Sequence, residues 1–267
     1  VCNYRCYFCQ EHSYLKSDRP KFSTWSKEAL SNFTKYIRSM KINGVGLVGD
    51  GEVLLSKLCN QFVEDYGNKT KIRIQSNGST LSKLTPEFMT KLDRFGVSLN
   101  SIDPDTHIVI HGYKGESQLH GILKNIESLI TIPDISKKMS IGYVLSKDNV
   151  NEFDDLIRLV KKWNVTFYIK TLAKSLDEVE SKMLPINSVD GLLKKINYYL
   201  NSDKNNSSVF IENLNYIKTG LEDYRDLNNN NSNQKLPACY FGFMSPCLDK
   251  YGNLTICPDS KKSLGNI

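Results

Sequence analysis

The chain has 267 residues, 24% of them charged, and a formal net charge of +6. That length accommodates one large α/β core with a smaller appendage, and the scattered basic residues give no indication of nucleic-acid binding. No stretch approaches the roughly 18 consecutive apolar residues of a membrane helix, and no apolar signal segment opens the chain, so a soluble cytoplasmic protein is expected.

In chain order, the first feature is a cysteine motif: Cys2, Cys6 and Cys9 stand in CxxxCxxC spacing. Three thiolates can hold three irons of a four-iron cluster and leave the fourth open, whereas an electron-transfer ferredoxin uses four. Zinc is the alternative, but structural zinc pairs CxxC with a second CxxC or with histidines, and His12 is the nearby histidine. Cys239, Cys247 and Cys257 gather at the other end, and Cys59 stands alone on a predicted helix as a core residue. A long chain without a signal segment favours reduced thiols over disulfides. Because the motif starts at position 2, a strand is expected ahead of Val1, with the chain trimmed there and also after Ile267.

From residue 44 to residue 171, short apolar runs alternate with longer amphipathic stretches. The pattern predicts strands near 44–48, 71–75, 96–99, 139–145 and 165–171, with helices near 56–66, 86–95, 116–131 and 151–163. Parallel strands with helical crossovers follow. Five such strands, plus one ahead of Val1, predict a partial (β/α)6 TIM-like barrel whose working face is the C-terminal ends of the strands. Beyond it, 188–201 has helical spacing, 209–221 reads as either helix or extended chain, and the asparagine run from 228 reads as a polar linker. The expected division is a barrel at 1–172, a helical and linker region at 173–235, and a small C-terminal cysteine-bearing extension at 236–267.

Three of the predicted strands end in polar segments, two of them with glycine. Gly49-Asp50-Gly51-Glu52 follows the first of them; glycine admits close backbone approach and a carboxylate pairs with an ammonium. Gln75-Ser76-Asn77-Gly78 and Ser98-Leu99-Asn100-Ser101-Ile102-Asp103 offer hydroxyls and amides suited to ribose hydroxyls. Each segment alone is also ordinary turn chemistry.

In register, these segments resemble the radical S-adenosylmethionine (radical SAM) superfamily. Cys2-Asn3-Tyr4-Arg5-Cys6-Tyr7-Phe8-Cys9 resembles its cluster loop, with the aromatic Phe8 before the last cysteine. Residues 49–55 resemble its Gly-Gly-Glu motif, with Val53 at the usual proline, and 75–78 resemble its Thr-Asn-Gly. The resemblance implies a 4Fe-4S cluster on Cys2, Cys6 and Cys9, and S-adenosylmethionine beside Phe8, Gly51, Glu52, Asn77, Ser98 and Asn100. Where relatives often carry His-Asp-x-x-Arg, this chain has His107-Ile108-Val109-Ile110-His111, with histidine at the arginine position. Cys239, Gly252 and Cys257 resemble the opening of a SPASM or twitch extension, which implies an auxiliary iron–sulfur cluster. Residues 249–253 read as the turn of a hairpin within it. Cys247 lies outside that spacing and is either a buried structural thiol or, as in radical peptide epimerases, a hydrogen donor to a substrate radical.

The activity so implied is reductive cleavage of S-adenosylmethionine to a 5′-deoxyadenosyl radical that abstracts hydrogen from substrate. By analogy the substrate is a peptide undergoing post-translational modification. Radical dehydrogenation of a small alcohol or sugar is the alternative among enzymes, and a non-catalytic iron–sulfur or zinc protein is the alternative of another class. The partners implied are a peptide or small-molecule substrate and a reductant such as flavodoxin or ferredoxin.

Overall fold

In the computed structural model, residues 2–9, 13–15, 27–39, 42–49, 51–112, 118–172, 177–202, 206–228, 247–248, 253–255 and 263–266 are described. Five strands, Gly44–Leu47 (β1), Lys71–Ser76 (β2), Arg94–Ser98 (β3), Met139–Leu145 (β4) and Thr166–Thr171 (β5), pair in sequence order, every neighbour parallel. Parallel neighbours require crossovers, and the segments between strands supply them as helices. This is the α/β architecture of a partial barrel, and its five described strands match the five expected from the sequence after Val1.

Two-residue alternation decides which way each strand faces. Ile72 and Ile74 of β2, Phe95 and Val97 of β3, and Ile141 and Tyr143 of β4 are buried in one apolar core. The opposite face is polar: Gln75 Nε2 donates to Ser98 Oγ at 2.9 Å, and the Tyr168 hydroxyl donates to Gln75 Oε1 at 2.9 Å. A β-carbon on Gly96 would stand 2.0 Å from Gln75 Oε1, so glycine there is what lets the Gln75 side chain lie across β3.

The helices cover the apolar face. Lys27–Ser39 (α1) buries Ile37 and sets Phe33 5.8 Å from Phe62 of Lys57–Tyr66 (α2), the ring distances of an aromatic pair. Pro86–Thr90 (α3) starts at a Thr85 cap, whose hydroxyl accepts from Phe88 N. It stops well short of residue 95, because Arg94 already belongs to β3; the helical spacing of Met89, Leu92 and Phe95 is misleading there. Pro104–His111 (α4) is a helix in a segment that reads in the sequence only as a motif: Asp103 caps it, Pro104 takes the first turn, and Gly112 ends it in a left-handed conformation, φ 58°. Leu119–Ile130 (α5), Ile135–Lys138 (α6) and Phe153–Trp163 (α7) complete the crossovers, and α7 buries Phe153, Leu156, Ile157, Val160 and Trp163 along one stripe.

After β5 come Ile186–Ser202 (α8) and Ser208–Asn228 (α9), so the segment read as helix or extended chain is helical. α9 packs against β5, with the Phe210 and Phe167 rings 5.7 Å apart, and the Tyr199 hydroxyl of α8 donates to Asp154 Oδ1 at 3.1 Å. Asn228 closes α9, while 229–234, the rest of the expected linker, lie outside the described residues. These helices therefore share the barrel's core. Phe210→Ala should cost about 3–5 kcal/mol, the usual range for a buried phenylalanine, read as a lower urea midpoint at constant slope; a loss below about 1 kcal/mol would separate α9 from that core.

Near the C-terminus, Cys247–Leu248 (β6), Asn253–Thr255 (β7) and Ser263–Asn266 (β8) form a three-stranded antiparallel sheet. The β6–β7 pairing agrees with the hairpin read from the sequence; its turn, 249–252, lies outside the described residues. Among the described residues no helix is long and apolar enough to cross a membrane.

Candidate active site

The cysteine loop is anchored on the end of α4. Arg5 N donates to His111 O at 2.9 Å and Tyr7 N to Ile110 O at 3.1 Å, one bond on each side of Cys6. Tyr4 and Tyr7 are fully buried: Tyr4 donates to Gln118 Oε1 at 3.1 Å and Tyr7 to Ser146 Oγ at 2.7 Å. A buried hydroxyl needs such a partner. The loop thus sends the tyrosines into the protein and leaves Cys2, Cys6 and Cys9 half-buried and in no disulfide.

Burial pushes the Cys2 and Cys6 thiols up, Cys6 well up, and the neighbouring thiol charges act in the same direction. A loop that resists carrying thiolates alone accepts them once a cationic centre shares their charge. Among the described residues no three histidine, cysteine or acidic side chains group as they would around a single metal ion. A four-iron cluster makes a different demand, one sulfur per iron, and three neighbouring thiols outside any disulfide fit that group.

Glu52 is 3% exposed at the end of β1. Its Oε1 accepts from Leu54 N at 3.1 Å and Ser76 Oγ at 2.8 Å, and its Oε2 from Asn77 N at 2.6 Å. Burial raises its pKa against these bonds. The carboxylate ties the end of β1 to the end of β2, and its remaining lone pairs are the acceptor capacity left for a ligand. Gly51 N donates to Gly49 O at 2.8 Å, with Gly49 at φ 147°. Asn77 reaches back to the cysteine loop, its Nδ2 2.9 Å from Asn3 Oδ1 and 3.8 Å from Cys2 Sγ. Cys2, Glu52 and Asn77 are thereby brought together.

Phe8 is half-buried against Tyr7, ring centroids 5.4 Å apart, beside the apolar cluster of Tyr7, Ile110, Leu172 and Val179. Ser98 accepts from Gln75 on the polar face of the sheet. Asn100 is buried in a left-handed conformation, φ 57°, and its Oδ1 accepts from Val144 N at 3.0 Å, so this side chain bonds β4 from within the chain. Cys247 is half-buried in β6, while Cys239, Cys257 and His12 lie outside the described residues.

Two features escaped the sequence reading. Glu152, 9% exposed, accepts from Ile102 N at 2.6 Å, Ser101 Oγ at 3.0 Å and the Tyr143 hydroxyl at 3.1 Å, while Asn149 donates to Asn100 O and Val144 O, each at 2.8 Å. The signal was Ser146-x-x-Asn149-x-x-Glu152, polar residues spaced beyond an apolar strand as in the earlier motifs. The other is the contact made by His111, noted in the sequence only for its position: its Nδ1 lies 2.9 Å from Cys6 Sγ. Burial lowers its pKa to about 3 and that of His107 to about 4.

Comparison with known proteins places this geometry. Residues 1–160 match the radical SAM superfamily. A probable GTP 3′,8-cyclase of Methanococcus aeolicus is 25% identical over 265 residues, covering 95% of this chain and 84% of that protein. A GTP 3′,8-cyclase of Microcystis aeruginosa is 28% identical over 173 residues, covering 62% of this chain and 52% of that protein. Among solved structures, Streptococcus suis SuiB bound to precursor peptide SuiA superposes with a TM-score of 0.64 at 14% identity, covering all of this chain and 60% of SuiB. SuiB bound to S-adenosylmethionine gives a TM-score of 0.62. The chain thus spans 60% of SuiB and about half of the Microcystis protein. With the family matched over more than half of its length and three cysteine thiols on one loop at the barrel, this chain belongs to the radical SAM superfamily, whose cofactors are a 4Fe-4S cluster and S-adenosylmethionine.

Proposed function

We propose that this chain abstracts hydrogen from a peptide substrate in a post-translational modification. The observation that carries the reading is the convergence of Cys2, Glu52 and Asn77, which sets an acceptor and an amide beside the cysteine loop. Bound there, the cluster and S-adenosylmethionine supply a 5′-deoxyadenosyl radical. The protein's residues bind and orient. Cys2, Cys6 and Cys9 hold the cluster; Glu52 accepts from the ammonium of S-adenosylmethionine, a charge-assisted bond; Gly51, Ser98 and Asn100 contribute the surrounding polar atoms. Phe8 and the apolar side chains beside it keep water from the reacting atoms. Cys239 and Cys257 begin the ligand set of an auxiliary cluster, and Cys247 is either structural or a hydrogen donor within that extension. Electrons arrive from a flavodoxin or ferredoxin.

The peptide is supported by the fold shared with SuiB, solved with its precursor peptide, and by the SPASM-like spacing of the C-terminal cysteines. A second reading, a nucleotide substrate, is supported by the GTP 3′,8-cyclases, one of them aligned over 84% of its length. Two assays divide them. In one, the protein is co-expressed with the short open reading frames flanking its gene and those peptides are weighed by mass spectrometry; in the other, the reconstituted protein is given GTP. A mass change in a flanking peptide with GTP untouched is the expected result, and GTP consumption with unmodified peptides would transfer the assignment to the nucleotide.

A further inference from the structure

His111 meets the cysteine loop through its imidazole as well as its backbone. Nδ1 lies 2.9 Å from Cys6 Sγ, and Nε2 lies 3.4 Å from Leu99 O. The ring is 1% exposed and packs against Tyr4 and His107, at centroid distances of 4.7 and 4.4 Å. The backbone beneath it is fixed too: α4 ends at His111, and the His111 carbonyl accepts from Arg5 N. A side chain packed on its faces and set close to the sulfur at one ring nitrogen has little freedom to turn away from it.

A neutral imidazole has one N–H to give. A ligating sulfur carries no proton and only accepts, as does the Leu99 carbonyl, so the two partners compete for that one proton. The shorter separation assigns the N–H to Nδ1, facing sulfur. We propose that His111 is a positioning residue for the cluster, donating a hydrogen bond from Nδ1 to the ligand sulfur of Cys6. Hydrogen bonds to cluster sulfurs raise the reduction potential by stabilising the added electron, and partners of the ligands also fix ligand orientation. Histidine here supplies one directed donor to the cluster.

The inference rests on the reading of Cys2, Cys6 and Cys9 as cluster ligands, and the experiment separates the two. Parent, His111→Leu and His111→Gln proteins are reconstituted anaerobically without substrate. Iron per chain is measured, and the cluster is titrated against a redox poise by electron paramagnetic resonance. Glutamine keeps a donor; leucine keeps bulk alone. The expected result is a His111→Leu protein whose reduced-to-oxidised ratio at fixed poise falls about tenfold, about 59 mV for a one-electron couple, with His111→Gln close to the parent. Loss of iron from His111→Leu with retention in His111→Gln likewise supports the donor. Parent potential in a loaded His111→Leu protein, or equal iron loss in both variants, would overturn it and reduce His111 to packing. A parent that holds no iron would instead overturn the cluster reading itself.

Discussion

Glu152→Ala is expected to destabilise the protein by an amount on the order of 3 kcal/mol or more, a larger effect than its short segment beyond β4 would suggest. Three donors, the Ile102 amide, the Ser101 hydroxyl and the Tyr143 hydroxyl, converge on that carboxylate within 3.1 Å. Alanine strands the Ile102 amide and the Tyr143 hydroxyl where water has little access, while the Ser101 hydroxyl keeps Asp103 O at 2.9 Å; each buried donor without a partner costs about 1–3 kcal/mol. Part of this is recovered, because burial already raises the pKa of Glu152 and the carboxylate is itself held at some expense. Glu152→Gln keeps the shape and one acceptor oxygen, so its loss should be the smaller of the two. Urea midpoints of the two variants check the order; a Glu152→Ala protein as stable as the parent would show that the network does not fasten the ends of β3 and β4 together.

The second large effect concerns the thiols. Replacing Cys2, Cys6 and Cys9 together by alanine should remove the iron of the first cluster and abolish formation of 5′-deoxyadenosine, while the thermal midpoint of the apoprotein changes little. The asymmetry has a structural cause. The loop is held chiefly by the buried Tyr4 and Tyr7 and by backbone bonds to α4, to which the cysteine side chains add only the contacts of Cys6 with His111 and of Cys2 with Asn77. A collapse in stability equal to the loss of iron would mean that the thiols pack the loop as well as bind metal.

The strands and the cysteine loop were legible because their signals are local: alternation within β2 and β4, amphipathic spacing in α7, and three cysteines within nine residues. α4 was not, since Ile108, Val109 and Ile110 are consecutive apolar residues, without the three- and four-residue spacing of a one-sided helix. Buried polar partnerships were illegible for another reason. Glu152 meets Ile102 across fifty positions of sequence, and His111 meets Cys6 across 105, so each pair exists only once parallel strand ends are brought side by side. The same limit applies at Asn100, whose side-chain oxygen accepts from the Val144 amide, a bond visible only when β4 is in place.

Release of 5′-deoxyadenosine tests the central claim most directly. Anaerobically reconstituted parent protein is supplied with S-adenosylmethionine and dithionite, and the products are separated by chromatography. Methionine and 5′-deoxyadenosine should appear in equal amounts, and neither should form with the triple cysteine variant. Protein loaded with its full iron that leaves S-adenosylmethionine intact under strong reduction would contradict the account.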